Sequence, residues 1–379
     1  MKIAFVNLEL GGGLSGVSKA VAGQARAARR EGLPIDFIVV NPARDGVVGD
    51  IRFVQYAKPP LGPRTAVLFK ARLLARAAAL REYDVILLRY PGALDLDPLA
   101  LLRTATARII TVHHTNEVAE LLSAKRSPGM LGRAAYEWAA GPRVLARVAA
   151  IVGVTDEIRD YQTARARRQM PSRTIANGID VANVAHTRFV PFDGRELKMV
   201  FVASARAPWH GLDRLMSALR THRGQPRVTL ELVGGGTGAP RGTVERYENA
   251  TIRHHGPLDG EALDRVFTNV TLAVSSLALF RAGLRQACVL KTRDYVSRGI
   301  PFIYAYDDVD LAADLPFALR LPNDGTELPM GRVFEFAKSV SRTPEVAFAM
   351  RRFAETNLDW SVKMKTFHEF ATSVGNRRL

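Results

Sequence analysis

Short apolar runs alternate with longer amphipathic stretches along most of this chain. Turn residues such as Gly, Pro and Asn separate many of them, and the amphipathic stretches are rich in Ala, Leu and Arg. Short apolar runs between helical segments are typical of strands that are buried on both faces of a parallel sheet. The pattern predicts strands at 2–8, 34–40, 52–56, 84–88, 108–113, 149–154, 173–176, 198–203, 228–233, 251–255, 270–275 and 301–305.

The alternation is interrupted between Asn183 and Leu197, where Pro191, Asp193 and Gly194 break the pattern. We interpret this segment as a linker between two α/β domains, each built on a parallel sheet. A chain of 379 residues is also too long for one ordinary core. The predicted boundaries are 1–185 for an N-terminal Rossmann-like domain, 186–355 for a C-terminal Rossmann-like domain, and 356–379 for a last helix that crosses back to the first domain.

Composition indicates a globular protein of a reducing compartment. The chain is 47% apolar and 24% charged, and Cys288 is its one cysteine, which excludes a disulfide framework and a cysteine-based zinc site. Met1 and Lys2 run directly into a strand pattern, so we expect no signal peptide. No apolar run approaches the roughly 20 residues of a membrane span. We therefore expect a cytoplasmic protein.

The net charge of +16 is uneven along the chain. Residues 1–190 hold 27 Lys and Arg against 16 Asp and Glu, or +11, and the remainder holds 26 against 21, or +5. A basic first half suggests an anionic partner, such as a phospholipid surface, a lipid-linked pyrophosphate or a nucleic acid. The alternative is that these residues lie on solvated helix faces. Nucleic acid is the least favoured partner, because no basic patch with interleaved aromatic residues occurs.

Two predicted helical stretches of the first half mix Arg with apolar residues. They are Leu68–Leu80 and Leu131–Val148. A helix of this kind can lie in a lipid interface with its basic groups at the headgroups. We therefore expect peripheral association with an anionic membrane at its inner face; the alternative is that the apolar residues pack on the domain's own sheet.

A glycine-rich turn follows the first predicted strand. Gly11 to Gly16 fits G-x-G-x-x-G, in which glycines allow the backbone to approach a phosphate or a sugar. Dinucleotide binding would require an acidic residue at the end of the second strand, and Asn41-Pro42 stands there. We favour a ligand-facing loop in which Gly12 and Gly13 contact the ligand; a plain tight turn is the alternative.

Two further segments place basic side chains at predicted strand ends. Arg206 and His210 follow the strand at 198–203, where cations would neutralise a leaving diphosphate. His113 and His114 end the strand at 108–113; consecutive strand residues point to opposite faces, so a joint metal site is not expected. One histidine facing the ligand is the favoured interpretation, and a packed or helix-capping histidine is the alternative.

The segment 274–306 has the most informative pattern. A polar loop leads into Leu290-Lys291-Thr292, a helix is predicted from Thr292 to Arg298, Gly299 ends that helix, and an apolar strand follows. Free backbone N–H groups and the positive end of the helix favour an anion at its start. Asp294, near the helix start, can accept hydrogen bonds from sugar hydroxyls.

Two D-x-D tripeptides occur, at Asp95–Asp97 and Asp308–Asp310. Such tripeptides arise often by chance, and both have the character of turn or helix-start residues. We assign neither to a metal, and we expect no metal site.

An ordered set of motifs resembles the retaining GT-B glycosyltransferases of family 4 over nearly the whole chain. The family usually carries two glutamates eight positions apart, and this chain has Gln286 and Asp294 there. Gln286 can hydrogen-bond a sugar hydroxyl but carries no negative charge. The motifs are the glycine turn, Thr174–Asp180 (T-I-A-N-G-I-D), Trp209–Asp213 (W-H-G-L-D), Leu232–Gly236 (L-V-G-G-G), and the terminal 352–370 with Asp359-Trp360-Ser361.

The resemblance implies a two-domain α/β protein of GT-B fold with a cleft between parallel sheets. It implies a metal-independent hexosyltransferase of polysaccharide biosynthesis that needs no cofactor and acts with retention. The C-terminal domain would bind a nucleoside-diphosphate sugar, and the N-terminal domain a glycan or lipid-linked acceptor. The implied catalytic residues are His114, Arg206 and His210, and the implied donor-binding residues are Gly12, Gly13, Gly234, Gly256, Gln286, Leu290, Lys291, Thr292 and Asp294.

Two other classes remain open. A catalytically silent GT-B subunit that binds a nucleotide sugar would agree with Gln286. A nucleotide-sugar epimerase shares the architecture, although it needs carboxylates that have no evident place here.

Overall fold

The computed structural model describes residues 1–8, 16–41, 45–55, 80–92, 106–123, 127–203, 207–235, 239–343 and 345–377. The chain forms two compact units. Unit 1 contains Met1–Asp180 and Trp360–Leu379, and unit 2 contains Val181–Asp359.

The strands and helices alternate in each unit, as the hydrophobic pattern predicts. The strands are β1 Ile3–Leu8, β2 Ile35–Asn41, β3 Gly46–Val48, β4 Ile51–Gln55, β5 Val85–Arg89, β6 Arg108–His113, β7 Ala150–Gly153, β8 Ser172–Thr174, β9 Glu196–Val202, β10 Arg227–Val233, β11 Val244–Arg246, β12 Ala250–Gly256, β13 Leu272–Val274, β14 Phe302–Tyr304 and β15 Ala318–Arg320. The α-helices in the described ranges are α1 Gly16–Arg30, α2 Glu117–Ser123, α3 Pro128–Leu145, α4 Asp156–Ala166, α5 Leu212–Thr221, α6 Gly260–Phe267, α7 Leu290–Arg298, α8 Met330–Val340, α9 Val346–Phe353 and α10 Trp360–Gly375.

Unit 1 is built on an eight-stranded sheet of order β3-β4-β2-β1-β5-β6-β7-β8. Neighbouring strands are parallel except β3, which pairs antiparallel with β4. Successive residues of β1 pack on opposite faces, with Phe5 in the cluster that includes α1 and α10 and Val6 in the cluster that includes the end of α3. Burial on both faces explains why the strands read as continuous apolar runs.

The last helix, α10, is fixed to the first half of the chain within unit 1. The backbone N–H of Trp360 donates to the Ile179 carbonyl at 2.9 Å. Asp180 accepts hydrogen bonds from Arg26 at 2.7 Å and Arg30 at 2.9 Å, both on α1. Gly23 of α1 allows the Trp360 ring to approach closely, since an added Cβ would lie 2.8 Å from its Cδ1 atom.

Unit 2 is built on a seven-stranded sheet of order β11-β12-β10-β9-β13-β14-β15. All neighbouring pairs are parallel except β11 with β12. Parallel order places the carboxyl ends of the inner strands on one edge, which is where ligands bind in open α/β sheets. Among the described residues, no helix has the length and apolarity needed to cross a membrane.

Candidate functional site

The start of α7 has no side-chain cap. Its N-cap residue, Val289, has an extended backbone with φ −82° and ψ 125°, but its side chain cannot accept a hydrogen bond. The first backbone N–H groups of a helix have no partner within it, so an uncapped start favours an anion. Gly299 ends the helix with φ +80°, as the sequence predicts.

Three buried hydroxyl groups fix the first turn of α7 to two strand ends. Ser275 follows β13 and Tyr306 follows β14. The Ser275 Oγ atom lies 2.8 Å from Thr292 Oγ1 and 3.0 Å from Tyr306 Oη, and Thr292 also hydrogen-bonds Tyr306. Because each hydroxyl is both donor and acceptor, the three groups satisfy one another away from water.

A buried arginine anchors the same turn from its other side. The Arg293 side chain is fully buried and makes a bidentate ion pair with Asp308; its Nη2 atom also lies 2.9 Å from the Asp310 carboxylate. Burial lowers the pKa of Arg293, but the two carboxylates outweigh it and raise the pKa well above its usual value. The D-x-D tripeptide at 308–310 is thus a counter-ion for Arg293.

His210 and Lys291 bring a second helix start to the same place. His210 ends a 3₁₀ turn at Pro208–His210 and is followed by Gly211, the N-cap of α5, which also has no side-chain cap. The Lys291 Nζ atom lies 3.3 Å from His210 Nδ1, and Nδ1 lies 3.2 Å from Ser276 Oγ. Two uncapped helix starts therefore meet at this pair.

The surroundings lower the pKa values of both side chains. Burial lowers the pKa of Lys291 to about 7. Burial, and then the charge of Lys291, lower the pKa of His210 to about 3. His210 is therefore a neutral donor or acceptor at neutral pH, while an arriving anion would draw Lys291 to its charged form. The Lys291 ammonium also lies 4.3 Å from the centre of the Phe201 ring, which favours its cationic form.

Asp294 is held by an arginine one turn along α7. Both Asp294 carboxylate oxygens lie 3.1 Å from the Arg298 Nε atom. Arg298 also pairs with Asp264 at 2.7 Å and lies over the Phe267 ring. The Asp294 side chain is partly exposed, so its remaining lone pairs can accept further hydrogen bonds.

Gln286 lies beside the extension of β14. It forms a parallel bridge with Asp307, in which the Ala287 N–H donates to the Asp307 carbonyl at 3.0 Å and the Asp307 N–H to the Arg285 carbonyl at 2.9 Å. The backbone position of Gln286 is thus set by the sheet.

Two glycines lie at the ends of β10 and β12. Gly234 has φ +123°, and an added Cβ would overlap the carbonyl oxygen of Ala203. Its N–H donates to the Gly256 carbonyl at 2.8 Å, and Gly256 has φ +68°. Both positions require glycine for the backbone alone.

In unit 1, His114 follows β6 in a partly buried position. Burial lowers its pKa well below the usual value, with the charges of Arg89 and His113 acting in the same direction and a hydrogen bond with Asn177 opposing them. His114 is therefore neutral. His113 is buried, and its Nδ1 atom lies 2.8 Å from Glu117. The two histidines thus have separate surroundings.

Arg89 is a cation that the sequence pattern did not reveal. It ends β5, and burial lowers its pKa to about 10 against the opposing charge of Glu120. Within the described ranges no carboxylate forms an ion pair with it. The sequence does contain a signal that could have identified Arg89, namely a polar residue at the end of an apolar run. Such residues merit attention because the strand ends of a parallel sheet meet at the edge where ligands bind.

Several predicted residues lie outside the described residues: Gly12, Gly13, Arg206, Asp95–Asp97 and, apart from its last residue, Leu68–Leu80. Of the others, the structure brings Leu290, Lys291, Thr292 and His210 together at the start of α7. In the described parts of both units, no group of three His, Cys, Asp or Glu side chains could hold a metal ion.

Comparison with known proteins concerns the first part of the sequence and the fold of the whole chain. Residues 14–183 match the sequence profile of Glycosyltransferase Family 4. Among curated proteins, none matches the chain in sequence.

Solved structures match over nearly the full length. Sucrose-phosphate synthase from Thermosynechococcus elongatus has a TM-score of 0.66 at 14% identity, covering 98% of each chain. Anabaena HepE in complex with UDP and glucose has a TM-score of 0.66 at 15% identity, covering 98% of this chain and all of that one. The lipopolysaccharide outer core galactosyltransferase WaaB has a TM-score of 0.63 at 14% identity, covering 98% and 99%. The predicted GT-B fold and the resemblance to GT-B glycosyltransferases are confirmed.

Proposed function

We propose that this protein is a metal-independent hexosyltransferase that transfers a sugar from a nucleoside-diphosphate sugar to an acceptor hydroxyl with retention of anomeric configuration. One observation carries the proposal: two uncapped helix starts meet where Lys291 Nζ lies 3.3 Å from His210 Nδ1. This arrangement suits a diphosphate, because backbone N–H groups, an ammonium and an imidazole can all donate to its oxygens.

In the proposed reaction, the bond between the anomeric carbon and the diphosphate oxygen breaks, and the diphosphate takes the electron pair. The acceptor oxygen bonds to the anomeric carbon on the same face, and its proton passes to the leaving phosphate. Charge on the diphosphate grows in the transition state, so Lys291, His210 and Arg206 would accelerate the step by binding that charge.

The remaining residues would orient the donor. Asp294 would accept hydrogen bonds from the ribose, with Arg298 holding its carboxylate in place. Gln286 would bind a sugar hydroxyl, and the loop at Gly256 would lie near the base. Gly12 and Gly13 would lie near the phosphate or sugar, Gly234 near the donor, and His114 near the sugar.

Unit 1 would bind the acceptor, a glycan or a lipid-linked glycan of polysaccharide biosynthesis. HepE has been crystallised with UDP-glucose and starch synthase IV from Arabidopsis thaliana with ADP and acarbose, which supports a nucleotide-sugar donor. We place the reaction in the cytoplasm.

A silent nucleotide-sugar-binding subunit is the second candidate, and Gln286 favours it because an amide cannot stabilise a developing oxocarbenium ion by charge. Calorimetry with nucleoside diphosphates, with and without EDTA, followed by donor turnover with candidate acceptors, separates the two. Tight binding and turnover in EDTA would support the transferase. Binding without turnover would support the silent subunit, and no binding would contradict both.

A further inference from the structure

The outer face of α3 is apolar although it faces solvent. Trp138 is 72% exposed, Leu131 49% and Tyr136 40%, and Ala135 and Ala139 are also exposed. In an α-helix, positions 131, 135, 138 and 139 lie on one side, so these side chains form a continuous apolar surface. We call Leu131, Ala135, Trp138 and Ala139 the α3 outer face, and the exposed Tyr136 lies beside it.

The inner side of the same helix is also apolar. Val144 and Leu145 are buried in the cluster beside β1 and β5. Packing against the unit's own sheet therefore accounts for Val144 and Leu145, and the residues that the structure describes leave the α3 outer face exposed.

The exposed charged side chains of α3 and of the turn that follows it are arginines. Arg143 and Arg147 are exposed at the end of the helix. Glu137, the only carboxylate of α3, is buried and accepts a hydrogen bond from Arg165 at 2.8 Å. An apolar surface with Trp and Tyr, flanked by arginines and without an exposed carboxylate on its own helix, is complementary to anionic lipid headgroups above acyl chains.

We propose that the α3 outer face docks the protein on an anionic lipid bilayer. Trp138 and Leu131 enter the interface between headgroups and acyl chains, and Arg143 and Arg147 bind lipid phosphates. This docking does not depend on sugar transfer, and it would bring unit 1 to a lipid-linked acceptor.

A second copy of the chain fits this face less well. In a twofold-symmetric dimer each patch meets the same patch of its partner, so the interface would gather the arginines of both copies without an exposed carboxylate of α3 to pair with them. Like charges brought together at an interface disfavour association. An anionic bilayer supplies the opposite charge and an apolar phase together.

Tryptophan emission with brominated lipids tests insertion directly. Of the three tryptophans, Trp138 is the one that is largely exposed, since Trp360 is buried and Trp209 is partly buried. Vesicles of phosphatidylglycerol and phosphatidylcholine with brominated acyl chains should quench the emission of the full-length protein without any nucleotide sugar. Trp138→Phe should still co-sediment with these vesicles but lose most of the quenching.

Co-sedimentation of variants with the same vesicles tests how much each side chain contributes to membrane binding. Trp138→Glu should lower the partition coefficient at least ~10-fold. It removes apolar surface from the protein and adds a negative charge, which the anionic lipids repel. Arg143→Gln should lower it about fivefold, or about 1 kcal/mol. Two controls should leave it unchanged: Val47→Glu, which is 72% exposed in unit 1, and Phe348→Glu, which is 66% exposed in unit 2.

Three results would overturn the proposal. One is no binding to anionic vesicles at low salt. Another is binding that Trp138→Glu and Val47→Glu reduce equally. The third is self-association of the free protein, measured by ultracentrifugation, that Trp138→Glu abolishes, since this would make a second copy the occupant of the face.

Discussion

The helices of the two units differ in what stabilises their first turns. In unit 1, a side-chain oxygen accepts a hydrogen bond from the first turn of α2, α3 and α4; the caps are Asn116, Ser127 and Thr155. In unit 2, none of the described helices α5 to α9 has a side-chain cap at its N-terminus. The helix starts of unit 2 thus lack the local stabilisation that a side-chain cap gives, and the proposed function uses two of them, those of α5 and α7, to bind an anion.

A cap stabilises a helix start by about 1 kcal/mol but occupies its N–H groups. The start of α7 lacks that local stabilisation, and tertiary contacts replace it: the hydroxyl cluster around Thr292 and the ion pairs of Arg293. The polar side chains that hold α7 in place are thus buried, and none of them caps its first turn.

Asp308→Asn should destabilise unit 2 strongly. Removing one partner of a buried ion pair typically costs about 3–5 kcal/mol, because the other charge stays buried with less compensation. Urea unfolding measures the effect. The neighbouring Asp307→Asn is the matched control: Asp307 pairs with Arg320 on the surface, and that loss should cost below about 1 kcal/mol. Equal losses in the two variants would show that the buried ion pair does not hold α7.

Lys291→Ala should weaken nucleoside-diphosphate binding by about 1.5–3 kcal/mol, or roughly 10- to 150-fold, since a hydrogen bond to a charged group is removed. Calorimetry measures the affinity. Lys338→Ala, at an exposed position of α8, removes the same charge elsewhere in unit 2 and should leave the affinity unchanged. Similar affinities for Lys291→Ala and the unmodified protein would remove the pair with His210 from the proposed site.

The affinity should also depend on pH through Lys291. Its pKa is lowered to about 7 without ligand, and a bound anion raises it. Binding therefore takes up a proton, the affinity is greatest below pH 7, and above it the affinity falls by up to about tenfold per pH unit. With Lys291→Ala, the titration of the nucleotide's own phosphate still affects binding, but the part of the pH dependence that comes from proton uptake by Lys291 should be lost. Superimposable pH profiles of affinity for Lys291→Ala and the unmodified protein would contradict proton uptake by Lys291.

Val289→Asp should separate stability from affinity. A carboxylate cap at α7 should stabilise the helix start by about 0.5–2 kcal/mol, while it places negative charge where the phosphate would bind. The melting temperature should rise and the nucleotide affinity should fall. Val289→Ser, a neutral cap, should weaken binding less.

Thr155→Ala is the counterpart in unit 1. It removes the cap of α4 and should lower the free energy of unfolding by about 1 kcal/mol without a change in nucleotide affinity.

If Val289→Asp raised the nucleotide affinity, the start of α7 would not be an anion site.

Local patterns in the sequence determined the α/β architecture and much of one site. The apolar runs become the strands, β6 has the predicted bounds, and Gly299 ends α7 at the predicted place. Such features follow from interactions over a few residues, namely periodicity, turn chemistry and helix termination. The start of this helix was predicted at Thr292, and the structure places it two residues earlier, at Leu290.

Tertiary structure decided which polar groups meet. Arg293 and Asp308 are 15 positions apart, and His210 and Lys291 are 81 apart. Neither spacing has a period that a sequence can display, so the sequence could not assign the D-x-D tripeptide at 308–310 to an arginine. The lowered pKa of Lys291 likewise comes from burial, which depends on the folded chain.

The helix α3 shows the same limit for apolar residues. Its sequence is apolar on both sides, so hydrophobic periodicity cannot tell which side packs inward. Only the position of the sheet buries Val144 and Leu145 and leaves Leu131 and Trp138 exposed. The sequence alone thus determines that this helix is apolar, and the packing of unit 1 determines which half of that apolar surface remains for a partner, because burial is a property of the neighbours that the fold supplies.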